Sequence, residues 1–146
     1  MKHVSLPLIA ALLFAICGGI AAASMQFTLR EFAIESGVNA WVFIVVPGLF
    51  SALFAMLVYQ GAEKRVKTVG QSLSRGLLVA VLTWFGFSIL ATAVWFPIQD
   101  FFRWLSTVLL VSGVVGGGPM LLAGLIPGAL VGFLIRQRGA AWVLKA

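Results

Sequence analysis

The chain has 146 residues, 62% of them apolar, and 10 + 4 = 14 charged side chains that leave a net charge of +6. So little charge on so apolar a chain excludes an ordinary soluble domain and points to an all-α polytopic membrane protein with a single membrane domain. The lone Cys17 and lone His3 exclude an intrachain disulfide, a zinc site of the usual kind and bis-histidine haem ligation, so no cofactor and no metal is expected.

The first predicted span covers residues 4–25. Lys2 and His3 precede it, and Ala21-Ala22-Ala23 resembles a signal-peptidase site. An apolar run of about 22 residues is nevertheless long enough to cross a bilayer, so an uncleaved span is expected. Ala11, Ala15, Gly19 and Ala23 recur at spacing four and make a small-residue ridge of the kind that lets helices approach closely in lipid. A polar connector follows, with Arg30, Glu31 and Glu35.

The second span covers residues 40–60, opens at Trp41, closes at Tyr59 and contains Pro47-Gly48, where a bend is expected. The loop at 61–75 holds Lys64, Arg65, Lys67 and Arg75, a set suited to anionic lipid headgroups or a partner. Val66, Val69, Leu73 and Leu77 recur at helical spacing within and beyond it, which predicts a short amphipathic helix on the membrane surface. The third span covers residues 76–96. A second connector with Asp100 and Arg103 leads to the fourth, residues 105–135, and the chain ends with Arg136, Arg138 and Lys145.

The fourth span is the most distinctive. Gly113, Gly117, Gly124, Gly128 and Gly132 fall within one arc of about 100° on a helix and form a second packing ridge, with the alanine ridge of the first span as its expected mate. Gly116, Gly118 and Pro119 predict a kink or break, and Pro127 a second irregularity, because a proline has no N–H and crowds the carbonyl four residues before it. Val46-Pro47-Gly48 also echoes Ile126-Pro127-Gly128, and the connector Phe27–Phe32 echoes Phe96–Phe101. Two tandem hairpins would account for both echoes, with an insertion before Pro127.

Sidedness follows from the basic residues. Lys2, Lys64, Arg65, Lys67, Arg75, Arg136, Arg138 and Lys145 lie on one side of the predicted topology and only Arg30 and Arg103 on the other. By the positive-inside rule both termini face the cytoplasm, in a plasma (inner) membrane. The same distribution argues against nucleic acid as a partner, because the cations sit at span ends rather than in a patch interleaved with aromatics.

No Asp, Glu, Lys, Arg or His lies within the four spans, which removes the usual marker of a proton relay or ion path. No GxSxG, HExxH, P-loop or CxxC occurs, and no enzyme activity is expected. What remains in the apolar spans is a set of hydroxyls: Ser51, Thr83, Ser88, Thr92, Ser106, Thr107 and Ser112. Two readings follow. The first is an interaction or accessory subunit that packs through its small-residue ridges into a larger membrane complex or a homo-oligomer. The alternative is a small channel or facilitator for an uncharged or anionic solute, using the fourth helix where Gly and Pro break it.

Overall fold

A computed structural model describes residues 5–28, 40–62, 66 and 68–143, with the side chains of 26–28, 40, 41, 95 and 138–143 left aside. The described chain is helical: α1 (Leu6–Thr28), α2 (Ala40–Tyr59), α3 (Val69–Trp95), a 3-10 turn (Ile98–Asp100) and α4 (Phe101–Val143). Four helices are long and apolar enough to cross a membrane, the make-up of a multi-pass membrane protein. Their outward faces agree: Leu8, Leu12, Ile16 and Ile20 on α1 and Leu110, Val114, Leu122 and Ile126 on α4 are exposed. Such stripes are tolerated where the solvent is hydrocarbon.

Local chemistry sets the helix ends. Gly61, at φ +70, takes the left-handed conformation just past the end of α2, where a glycine carries no Cβ penalty. Thr68 is extended, and its hydroxyl accepts from the Gln71 amide at 3.2 Å, capping α3. At the far end Phe96 is extended (φ −122, ψ 152) because the ring of Pro97 bars it from helical geometry. Phe96 then stacks on Trp104, with ring centroids 4.4 Å apart, and closes the α3–α4 turn.

Each helix runs antiparallel to its neighbours in a closed ring α1–α2–α3–α4, the two hairpins α1/α2 and α3/α4 being the most extensive pairs. The hairpins cross on small residues. In α1/α2, a Cβ on Gly18 would collide with the Ser51 side chain, and one on Gly48 would stand 3.2 Å from the Ala15 carbonyl oxygen. In α3/α4, a Cβ on Gly76 would run into the Gly124 carbonyl, and one on Gly128 would stand 3.2 Å from both the Gly76 Cα and the Ser72 carbonyl. Backbones this close exchange many dispersion contacts, which is what holds helices together in lipid.

Three sequence expectations are corrected here. The glycine ridge of α4 mates with α3 rather than with the alanine ridge of α1, whose Ala15 and Gly19 face Gly48 and Ile44 of α2. The physical reason is chain proximity: each ridge finds its mate within its own short hairpin. Secondly, of the kink or break expected at Gly116–Pro119 the break is absent, since one helix of 43 residues, about 64 Å at the usual rise, contains both Pro119 and Pro127. Thirdly, the expected surface helix of the 61–75 loop does not stand alone. Val69 and Leu73 belong to the first turns of α3, which starts at its Thr68 cap seven residues before the expected boundary, while Val66 and Ala62 are buried beneath the bundle.

The core lies at the end of the bundle that receives Val66. Leu6, Ala10, Phe14, Ala55, Tyr59, Ala62, Val66, Val79 and Val131 form one buried cluster. Phe14 tilts against Tyr59 with centroids 5.7 Å apart. Polar groups in it are tied: the Tyr59 hydroxyl donates to the Ser72 carbonyl at 2.8 Å, and the Ser72 hydroxyl to the Gly128 carbonyl at 2.7 Å.

Candidate functional site: a cavity in the other half of the bundle

Away from that core the ring of helices is hollow. A cavity of about 530 Å³ lies between all four helices, inside the range of about 300–1,000 Å³ usual for small-molecule sites. Its floor is Phe14, so it begins where the packed core ends. Its walls are Gly18, Ala22 and Met25 of α1, Phe43, Pro47 and Ser51 of α2, Thr83, Trp84, Phe87, Ser88 and Ala91 of α3, and Thr107, Val108, Ser112, Gly116 and Ala123 of α4. Phe96 and Trp104, stacked on each other, also border it.

Small residues on α1 and α4 explain the space. Gly18, Ala22, Gly116 and Ala123 contribute almost no volume toward the axis, and the aromatic rings of α2 and α3 do not reach across it. Met25 lies over Gly116, where a Cβ would collide with its thioether. An unbranched thioether can shift, so this part of the wall is deformable.

No lining residue is ionisable. The polarity comes from hydroxyls, and most are engaged. The Ser51 hydroxyl donates to Thr83 Oγ1 at 3.3 Å, and Thr107 donates to the Arg103 carbonyl at 3.1 Å. The Trp84 indole N–H donates to Ser112 Oγ at 2.8 Å, while Ser112 donates back to the Val108 carbonyl of its own helix. Ser88, 1% exposed, also lines the cavity, and its carbonyl accepts from Thr92 Oγ1 at 2.8 Å.

Pro47 and Pro127 stand four residues after Phe43 and Ala123, both of which line the cavity.

The other residues singled out from sequence are distributed as follows. Gly124, Gly128 and Gly132 pack on α3, and Gly113 meets the Trp84 ring, at 3.3 Å from a would-be Cβ. Gly117 and Gly118 have open space where a Cβ would stand, so no side chain of this chain packs on Gly117 among the described residues. Ala11 is buried; Ala23 is half-buried. The Arg75 guanidinium donates to the Val58 carbonyl at 2.7 Å and satisfies a carbonyl in the last turn of α2. Arg136, Asp100 and Arg103 are exposed. Lys64, Arg65, Lys67, Arg30, Glu31 and Glu35 lie outside the described residues, as does the side chain of Arg138. Reasoning from sequence treated Trp84 as packing and overlooked Phe43, Phe87 and Met25. The usable signal was the pairing of a proline with the residue four before it, which marks Phe43 and Ala123.

The fold and cavity thus define a four-span helical membrane protein with a chamber free of ionisable side chains in one half of the bundle. Comparison with known protein families, with curated proteins and with solved structures finds no match to this chain.

Proposed function

We propose that the protein binds an uncharged, mostly apolar molecule in the chamber between its four helices and acts as a small facilitator or carrier for it. The observation that carries this reading is a chamber of about 530 Å³ whose lining has hydroxyls but no ionisable group. Of the solute classes expected from sequence, that lining favours the uncharged over the anionic, because a buried anion would need a paired cation or several donors. The accessory-subunit reading loses its main support, since Gly124, Gly128 and Gly132 already have their mate in α3 of the same chain.

Two further features belong to the proposal. The Lys and Arg bias puts the packed end, with both termini and the 61–75 loop, on the cytoplasmic side of the plasma (inner) membrane. The chamber is then in the outer half. The bundle is also read as two tandem hairpins, α1/α2 and α3/α4. In each, the Pro-Gly pair of the second helix lies at the close crossing with the first: Gly48 on Ala15, Gly128 on Gly76.

The test is native mass spectrometry of the protein released from its own membranes, beside an Ala22→Phe variant that fills the chamber. A neutral species bound to the wild type and lost from the variant supports the reading. Equal occupancy in both would overturn it.

A further inference from the structure

The four seams around the chamber are not closed alike. At α2/α3, Ser51 bonds Thr83 at 3.3 Å, and Phe43 meets Phe87 edge-on with ring centroids 6.4 Å apart. At α3/α4 the Trp84 indole bonds Ser112 at 2.8 Å, and its ring backs onto Gly113. At α1/α2 backbone lies near backbone, with Gly48 against the Ala15 carbonyl. At α1/α4 the closure is a thioether: the Met25 side chain lies over Gly116, where a Cβ would collide with it. Met25 is half-buried and also lines the chamber, so this one side chain spans the wall from outside to inside. Around it the seam offers Ala21, Ala22, Met120 and Ala123, all small except Met120, which is itself unbranched.

Resting on the binding reading above, we infer that Met25 is the gate of the chamber: the ligand passes between α1 and α4, directly from the bilayer, when the thioether swings off Gly116. Seat and cover suit each other for this. The glycine leaves room for the side chain to lie across it, and unbranched torsions let that side chain turn away without moving either helix. Such a rotamer hop is fast beside any helix motion. Opening another seam instead breaks a hydrogen bond or separates packed backbones. The outward stripes of the two helices, Ile16 and Ile20 on α1 and Leu122 and Ile126 on α4, are apolar and exposed, so the route suits a molecule dissolved in hydrocarbon.

The test uses the full chain in lipid nanodiscs, with Cys17→Ala, Trp84 as the only tryptophan (the other four replaced by Phe), and 1-bromododecane as a quenching probe. The binding reading expects saturable quenching of Trp84, and its absence from every variant overturns that reading and this inference together. In Met25→Cys/Gly116→Cys the sulfur at 25 takes the place of the present Cγ, 3.5 Å from a Cβ at 116, near enough to bridge. Oxidation of that pair is expected to slow the quenching phase about tenfold, since the remaining seams open only by helix motion, and reduction is expected to restore it. Met25→Ala, which needs no bridge to form, is expected to speed the phase about threefold. Leu90→Phe/Val94→Phe crowds the outside of the α2/α3 seam and is expected to leave the rate as it was. Saturable quenching with a rate indifferent to Met25→Ala, or equal in the oxidised and reduced pair, or slowed by the α2/α3 variant, overturns this inference and leaves the binding reading standing.

Discussion

At the end of the bundle that holds Tyr59 and Ser72, α3 and α4 approach so closely that Gly76, Gly124 and Gly128 have no room for a Cβ, and the hydroxyls in the seam are bonded. Two to three turns away along α4, Gly116 is covered by a methionine, Gly117 and Gly118 face open space, and the axis is hollow. Both halves are made of Gly, Ala, Ser and aromatic residues. What separates them is pairing: glycine against a facing glycine backbone, as at Gly76 and Gly124, closes the axis, whereas glycine faced mainly by side chains, or by nothing, leaves space. Small residues in a membrane helix therefore serve two opposite ends, contact and vacancy, and only the neighbour decides which.

That contrast can be broken by substitution. The largest effect is expected from Gly128→Leu or Gly76→Leu, which force the α3/α4 crossing apart; about 3 kcal/mol of destabilisation is expected, at the upper end of ordinary overpacking, measured by SDS-induced unfolding of the micellar protein. Loss of stability comparable to that of Gly117→Leu would erase the distinction between the halves. Tyr59→Phe removes the bond to the Ser72 carbonyl and should cost about 1 kcal/mol in the same assay. Ala22→Leu, which adds volume to the hollow half, should leave stability unchanged or raise it by about 0.5–1 kcal/mol while displacing bound ligand. The smallest effect belongs to Gly117→Ala, which meets nothing and should change stability by no more than about 0.5 kcal/mol. A strongly destabilised Gly117→Ala protein would mean that this face is covered by another chain.

Much of the architecture was legible because it depends on properties local to the chain. Four apolar runs of spanning length are a matter of composition, and Pro97 marks a helix end through its own backbone preference, whereas the Thr68 cap went unread and α3 began earlier than expected. Gly124, Gly128 and Gly132 were recognisable as a packing ridge because their spacing puts them on one face. Its mate was not recognisable. Ala15 and Gly19 of α1 match that ridge as well as Gly76 of α3 does, and spacing along one helix carries no information about which helix lies opposite. For the same reason spacing could not show that Gly117, in register with the ridge, has open space beside it.

The candidate site was legible only as a list of parts. Ser51, Thr83, Ser88, Thr107 and Ser112 were noted as the polar residues of the apolar spans, and the structure gathers all of them around one chamber. Thr92 bonds the Ser88 carbonyl in its own helix, and Ser106 bonds that of Arg103. Arg75, read from its place in a basic loop as suited to a headgroup or a partner, has a role that the sequence did not show: it serves the end of α2, because α3 begins early enough to carry it alongside Val58.

By itself the sequence determined that this chain is helical and has four runs long and apolar enough to cross a membrane, since hydropathy and backbone preference act residue by residue. Only the tertiary structure decided where the bundle closes and where it stays hollow. A void is a property of distances between helices, set by which side chains happen to face one another, and no single segment contains it.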